Sequence, residues 1–135
     1  MIVKILLTFG VLIYGLGVPY LEINATHVFN PDWTPHVRIH EVWQLLTNSA
    51  LGLYSLWLIW QKNNLHTPAL LGILITGGFL LAYALQDGYG GSMKYLGGSE
   101  KLVFGLNIGV VGFGLVSLIF IFVLFKKATH SDLTT

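Results

Sequence analysis

The chain has 135 residues, of which 10% are charged and 54% are hydrophobic, and its formal net charge is +1. Soluble domains average about 25% charged residues, so this composition excludes an ordinary soluble domain. The small net charge, with no basic tract, argues against a nucleic-acid partner. The absence of cysteine excludes disulfides and thiolate metal ligands. The composition therefore predicts a single integral membrane domain, residues 1–135.

Four apolar stretches are long enough to cross a lipid bilayer, for which about 20 residues suffice. They run at about 2–20, 41–60, 68–85 and 102–125. They predict an all-α fold, a four-helix transmembrane bundle in the bacterial inner membrane. Four lysines lie at one set of helix ends: Lys4, Lys62, Lys126 and Lys127. Because positive residues favour the cytoplasmic side, both termini are predicted to be cytoplasmic.

Glycines are concentrated in the first and fourth stretches. The first contains Gly10, Gly15 and Gly17, and the fourth contains Gly105, Gly109, Gly112 and Gly114. Small residues let membrane helices approach closely, particularly at a spacing of four. These glycine-rich faces predict close packing within the bundle, and contact with a second copy of the chain or with a larger membrane complex.

The polar segment 24–41 holds three of the five histidines and the only arginine. Within it, Thr34 and Pro35 predict a helix start, with Thr34 as N-cap and Pro35 in the first helical position. A single helix can run from there through Trp60. A spacing of four puts His36, His40, Gln44 and Asn48 on one face. Because a polar stripe is costly against lipid, it is expected to point into the bundle.

The histidines of this segment are candidate metal ligands: His27, His36 and His40. Neutral imidazole binds Zn, Fe or Cu, and an i, i+4 pair can supply two ligands to one divalent transition metal. The third ligand would come from His27 or Asp87, with Glu22, Asp32 and Glu41 as supporting carboxylates. Alternatively, the histidines only bond carboxylates and backbone groups at the end of the bundle.

A second chemistry needs no metal. His36 or His40, paired with Glu41 or Asp87, could transfer protons near neutral pH. The substrate would be a small lipophilic molecule that enters from the bilayer. Three amides would orient a polar group on it, or would simply hydrogen-bond between helices: Gln44, Asn48 and Asn107.

The pattern Thr26-His27, Asn30-Pro31, Trp33 and Pro35-His36-x-Arg38-x-His40 resembles the first outer loop of small four-helix bacterial membrane proteins of uncharacterised function. The resemblance implies the fold and the location of a site, but no reaction. The leading hypothesis is therefore a membrane-embedded enzyme, metal-assisted or acid/base. The alternatives are a non-catalytic subunit of a larger membrane complex and a proton-coupled carrier.

Overall fold

The computed structural model describes residues 1–95 and 97–131, and nearly all of their regular structure is helical. The chain begins with α1 (Ile2–Leu12), a π-helical segment (Ile13–Gly17) and α2 (Val18–Glu22), which follow one another without a break. The remaining helices are α3 (Pro35–Gln61), α4 (His66–Ala84), α5 (Gln86–Tyr89) and α6 (Ile108–Ser131). A short antiparallel pair, β1 (Leu102–Val103) and β2 (Leu106–Asn107), precedes α6.

Within the described residues, three helical stretches are long and apolar enough to cross a membrane, which is consistent with an integral membrane protein. They are Ile2–Glu22, His66–Ala84 and Ile108–Lys126. The helix α3 has 27 residues, so it is long enough, but its N-terminal half carries too many polar residues for it to join them. Three of the four predicted spans therefore correspond to apolar helices of sufficient length.

The start of α3 is confirmed. Its first residue is Pro35, and Thr34 is extended at the N-cap. The Thr34 hydroxyl accepts a hydrogen bond from the Val37 N–H at 3.3 Å, which satisfies one of the free donors of the first turn. The helix continues without interruption to Gln61, as the sequence predicts.

The fourth predicted helix begins later than residue 102. Phe104 and Gly105 have φ values of 52° and 79°, and positive φ at both central residues is the pattern of a type I′ hairpin turn. Asn107 then caps α6, because its Oδ1 accepts hydrogen bonds from the N–H groups of Gly109 and Val110 at 2.8 and 3.4 Å. The continuous apolar pattern hides this turn, so the all-α prediction lacks one small hairpin.

The helices pack around the ring of Phe120 in α6, which is fully buried. Gly10 of α1 and Gly72 of α4 face this ring, and a Cβ atom on either glycine would overlap it. The surrounding core consists of Leu7, Val11, Tyr14, Ile59, Ala69, Val116 and Val123. The missing side chains of two glycines therefore let one aromatic ring join α1, α4 and α6.

Polar side chains also connect the helices. The Tyr14 hydroxyl lies 3.1 Å from Ser55 Oγ, and Thr76 Oγ1 lies 2.8 Å from Ser117 Oγ. Trp60 donates a hydrogen bond from Nε1 to Thr8 Oγ1 at 3.0 Å. Thr8 and the later Tyr14 pair with Trp60 and the earlier Ser55, so the stretch Ile2–Glu22 and α3 run antiparallel.

We predict that Gly72→Ala lowers the free energy of unfolding by about 1–3 kcal/mol, because the added methyl group overpacks the Phe120 site. The matched control is Gly77→Ala in the same helix, where a Cβ atom would meet nothing within 4 Å. Unfolding in mixed detergent micelles measures both. Equal stability of the two variants would contradict this packing.

Candidate functional site

An imidazole and a carboxylate meet just beyond the end of α2. His27 Nε2 lies 2.7 Å from Glu22 Oε2, and the two side chains keep only 27% and 25% of their accessible surface. Oε2 is buried, and among the described residues no donor, His27 Nε2 included, makes an aligned hydrogen bond to it. A proton between these two atoms would satisfy both.

A turn in the loop orients His27. The amide oxygen of Asn24 accepts both the Thr26 N–H and the Thr26 hydroxyl, each at 2.6 Å. Since that hydroxyl has one proton, its 2.8 Å contact with His27 Nδ1 requires Nδ1 to donate. The Nδ1–H tautomer leaves the lone pair on Nε2, the atom that lies 2.7 Å from Glu22 Oε2. The Glu22–His27 pair can therefore share one exchangeable proton.

Other side chains surround this pair. The rings of Trp33 and Tyr95 meet the His27 ring edge-on, with centroids 5.8 and 6.1 Å away. Lys101 Nζ lies 5.5 Å from the centroid of the Tyr95 ring. Glu41, in the second turn of α3, interacts electrostatically with His27. We call these six residues the His27 cluster: Glu22, His27, Trp33, Glu41, Tyr95 and Lys101.

Burial lowers the pKa of His27 below its usual value. The Glu41 carboxylate opposes this by raising the pKa, and the Lys101 ammonium lowers it further. The balance favours the neutral imidazole at pH 7, which is the form that accepts a proton. Two carboxylates, one neutral imidazole and one cation are thus combined at one end of the helices.

His36 and His40 form a separate pair on α3. Their Nε2 atoms are 3.1 Å apart and their ring centroids 4.6 Å apart, and both residues are exposed. Gln44 is exposed as well, and Asn48 is half-buried. The expectation that this stripe points into the bundle is therefore wrong.

The physical reason is the helical pitch. A step of four residues turns about 400°, so a stripe with that spacing rotates about 40° around the helix at each step. Over the three steps from Asn48 to His36 it moves away from the packed face of α3. That face consists of Leu45, Gly52, Ser55, Leu58 and Ile59.

The other predicted site residues lie elsewhere. Asp87, in α5, lines an open cavity of about 200 Å³ together with Lys94 and Glu100. Asn107 is 4% exposed, and its Nδ2 donates to Glu100 Oε1 at 3.0 Å while its Oδ1 caps α6. The predicted catalytic residues His36, His40, Glu41 and Asp87 are thus distributed over three places.

The structure does not bring His27 into contact with the His36–His40 pair. Within residues 1–95 and 97–131, no group of three His, Asp or Glu side chains is close enough to hold one ion. The metal ligand set His27, His36 and His40 is therefore divided between the His27 cluster and the exposed face of α3. Their chemical roles stay predictions.

Sequence reasoning missed Tyr95 and Lys101 as neighbours of His27. One signal was available. In a chain whose helices alternate in direction, the segments before α3 and before α6 leave the helices at the same end. The aromatic and charged residues of the segment before α6 could therefore have been considered as contacts of those in the segment before α3.

Comparisons of the chain with protein-family models, curated proteins and solved structures find no match. The resemblance to small four-helix bacterial membrane proteins therefore stays a prediction. What the His27 cluster can do chemically follows from its own contacts.

We predict that His27 titrates below its usual pKa of 6.5, and that two neutralising variants move its midpoint in opposite directions. Lys101→Met raises the midpoint because a cation is lost, and Glu41→Gln lowers it because an anion is lost. The midpoint is read from NMR spectra of the protein with labelled histidine, and Lys62→Met at the opposite end is the control. Shifts of the same sign in both variants would contradict the arrangement.

The same depressed pKa has a consequence for stability. Above pH 6.5 the imidazole of His27 is mostly neutral in both the folded and the unfolded chain, so the free energy of unfolding does not depend on its titration. Below pH 6.5 the unfolded chain binds the proton more readily than the folded one, so the free energy of unfolding falls. The contribution of His27 to folding stability is therefore lost as the pH falls below about 6.5.

Proposed function

We propose that this protein is a membrane-embedded enzyme that uses the His27 cluster for acid/base chemistry on a small lipophilic substrate. The observation that carries the proposal is the 2.7 Å contact between His27 Nε2 and Glu22 Oε2 at the end of an apolar helix. Ionisable groups near membrane depth are costly and are usually retained for function.

The proposed setting is a four-helix transmembrane bundle in the bacterial inner membrane with both termini cytoplasmic. In it α3 crosses the membrane together with the three apolar helices. At about 1.5 Å per residue, the 27 residues of α3 extend about 40 Å, more than the hydrocarbon thickness. At the end of α3, Lys4 Nζ lies 5.4 Å from the Trp60 ring and Lys62 Nζ 5.0 Å from the Trp57 ring. Tryptophans mark a membrane interface and lysines favour its cytoplasmic side, so the His27 cluster, at the other end of the helices, would face outward.

The proposed chemistry is a proton transfer without net oxidation or reduction. The Glu22–His27 pair takes a proton from one atom of the substrate and returns it to another, while Glu41 provides a second carboxylate. The Lys101 ammonium would stabilise the anion formed between the two steps. The rings of Trp33 and Tyr95 border the imidazole and offer apolar surface to the substrate.

Gln44, Asn48 and Asn107 have no part in this proposal. Asn107 is engaged in capping α6, and the two α3 amides belong to the stripe of the His36–His40 pair. In this proposal the substrate is oriented by Trp33 from the segment before α3 and by Tyr95 and Lys101 from the segment before α6.

A deuterium experiment tests the proposal. The protein in lipid nanodiscs, incubated in D₂O with a lipophilic extract of cells, is expected to introduce deuterium into one class of small molecules, detected by mass spectrometry. His27→Gln lowers the rate at least ~100-fold, which is the usual contribution of an acid/base group. His66→Gln, at the start of α4, is the control and keeps the full rate. Incorporation that is absent, or equal in all three proteins, would contradict an acid/base enzyme.

A further inference from the structure

We propose that His36 and His40 bind a divalent transition metal ion, and that the same two histidines of a second copy of this chain complete the site. The ion would lie between two α3 helices. The inference concerns a different face from the His27 cluster and does not depend on its acid/base role.

The geometry of the pair fits two ligands of one ion. Zinc binds imidazole nitrogen at about 2.0–2.1 Å, so two such nitrogens on one tetrahedral ion are about 3.3–3.4 Å apart. The two Nε2 atoms share a hydrogen bond at 3.1 Å, so an ion that replaces the shared proton needs them to separate by only about 0.2–0.3 Å. Both residues are exposed and therefore accessible to an ion. Two histidines fill half of a four-coordinate site, so the arrangement is incomplete within one chain.

A groove continues from the pair along the helix. It has a volume of about 370 Å³ and is lined by His40, Trp43, Gln44, Thr47 and Asn48. All five residues belong to α3, so a single helix supplies one wall and the opposite wall is missing. Amides and hydroxyls this far along a helix of membrane-spanning length are poorly matched to lipid.

A second copy of the chain is the partner that would supply the opposite wall of this groove. Copies of a membrane protein share one orientation, so a two-fold axis between them runs along the membrane normal and each residue meets its own counterpart at the same depth. Each Gln44 and Asn48 amide carries both donors and an acceptor, so identical stripes can bond to one another. The groove contains no carboxylate or ammonium group, so nothing in it calls for a partner of opposite charge.

The symmetry also completes the metal site. Two histidines from each copy, near the axis and at the same depth, provide four imidazole nitrogens. Such a set suits zinc, copper or nickel, and imidazole binds all three.

The test uses the full chain in detergent with zinc chloride as the probe. Light scattering is expected to give a protein mass of two chains with zinc and of one chain after removal of zinc by EDTA. Metal analysis is expected to give half a zinc ion per chain. His40→Gln weakens zinc binding at least ~10-fold and abolishes the zinc-dependent dimer, since one of the two ligands per chain is lost. His66→Gln, away from this face, is the matched control and binds zinc as the unchanged protein does.

A second readout separates ligand loss from misfolding. Cobalt(II) is expected to give the intense visible bands of a tetrahedral site in the unchanged protein and not in His40→Gln, while both keep the same helical circular dichroism. One zinc ion per single chain would overturn the proposal, as would no binding at micromolar zinc. A dimer that is insensitive to both EDTA and His40→Gln, or a complex with a different polypeptide in place of the dimer, would overturn it too.

Discussion

Polar side chains on apolar helices must find hydrogen-bond partners within protein, because hydrocarbon offers none. Much of this chain meets that requirement internally. Tyr14 bonds Ser55, Thr76 bonds Ser117, and Trp60 bonds Thr8, and each contact joins two different helices. The N-terminal half of α3 is the exception, since its amides and imidazoles are mostly exposed and face away from the other helices. The dimer proposed above would cover this face.

The two histidine sites differ in their surroundings, and the difference supports the different chemistry proposed for each. His27 is half-buried, its Nδ1 is held by Thr26, and its Nε2 lies beside Glu22. His36 and His40 contact each other and remain exposed, so they are available to an ion from solution. A half-buried imidazole beside carboxylates suits proton transfer, whereas an exposed i, i+4 pair suits metal binding.

Features that are determined by neighbouring residues could be predicted from the sequence. Thr34 and Pro35 define the start of α3, and the apolar stretches correspond to long helices. Features that depend on long-range packing or on small rotations along a helix could not be predicted. The hairpin at Phe104–Gly105 lies inside an apolar run, and the 40° rotation per four residues carries His36 away from Asn48, which leaves the predicted stripe outside. The contact between His27 and Tyr95 joins segments 68 residues apart, and no periodic pattern encodes it.

The most direct test of the central claim, that the polar face of α3 is covered by protein in the membrane, is cysteine cross-linking. The chain has no cysteine, so single variants give unambiguous results. With iodine as the oxidant in native membranes, Thr47→Cys is expected to give a disulfide-linked dimer. Leu115→Cys, at an exposed apolar position of α6, is expected to stay monomeric. A Thr47→Cys variant that stays monomeric, or equal cross-linking at both positions, would contradict the account.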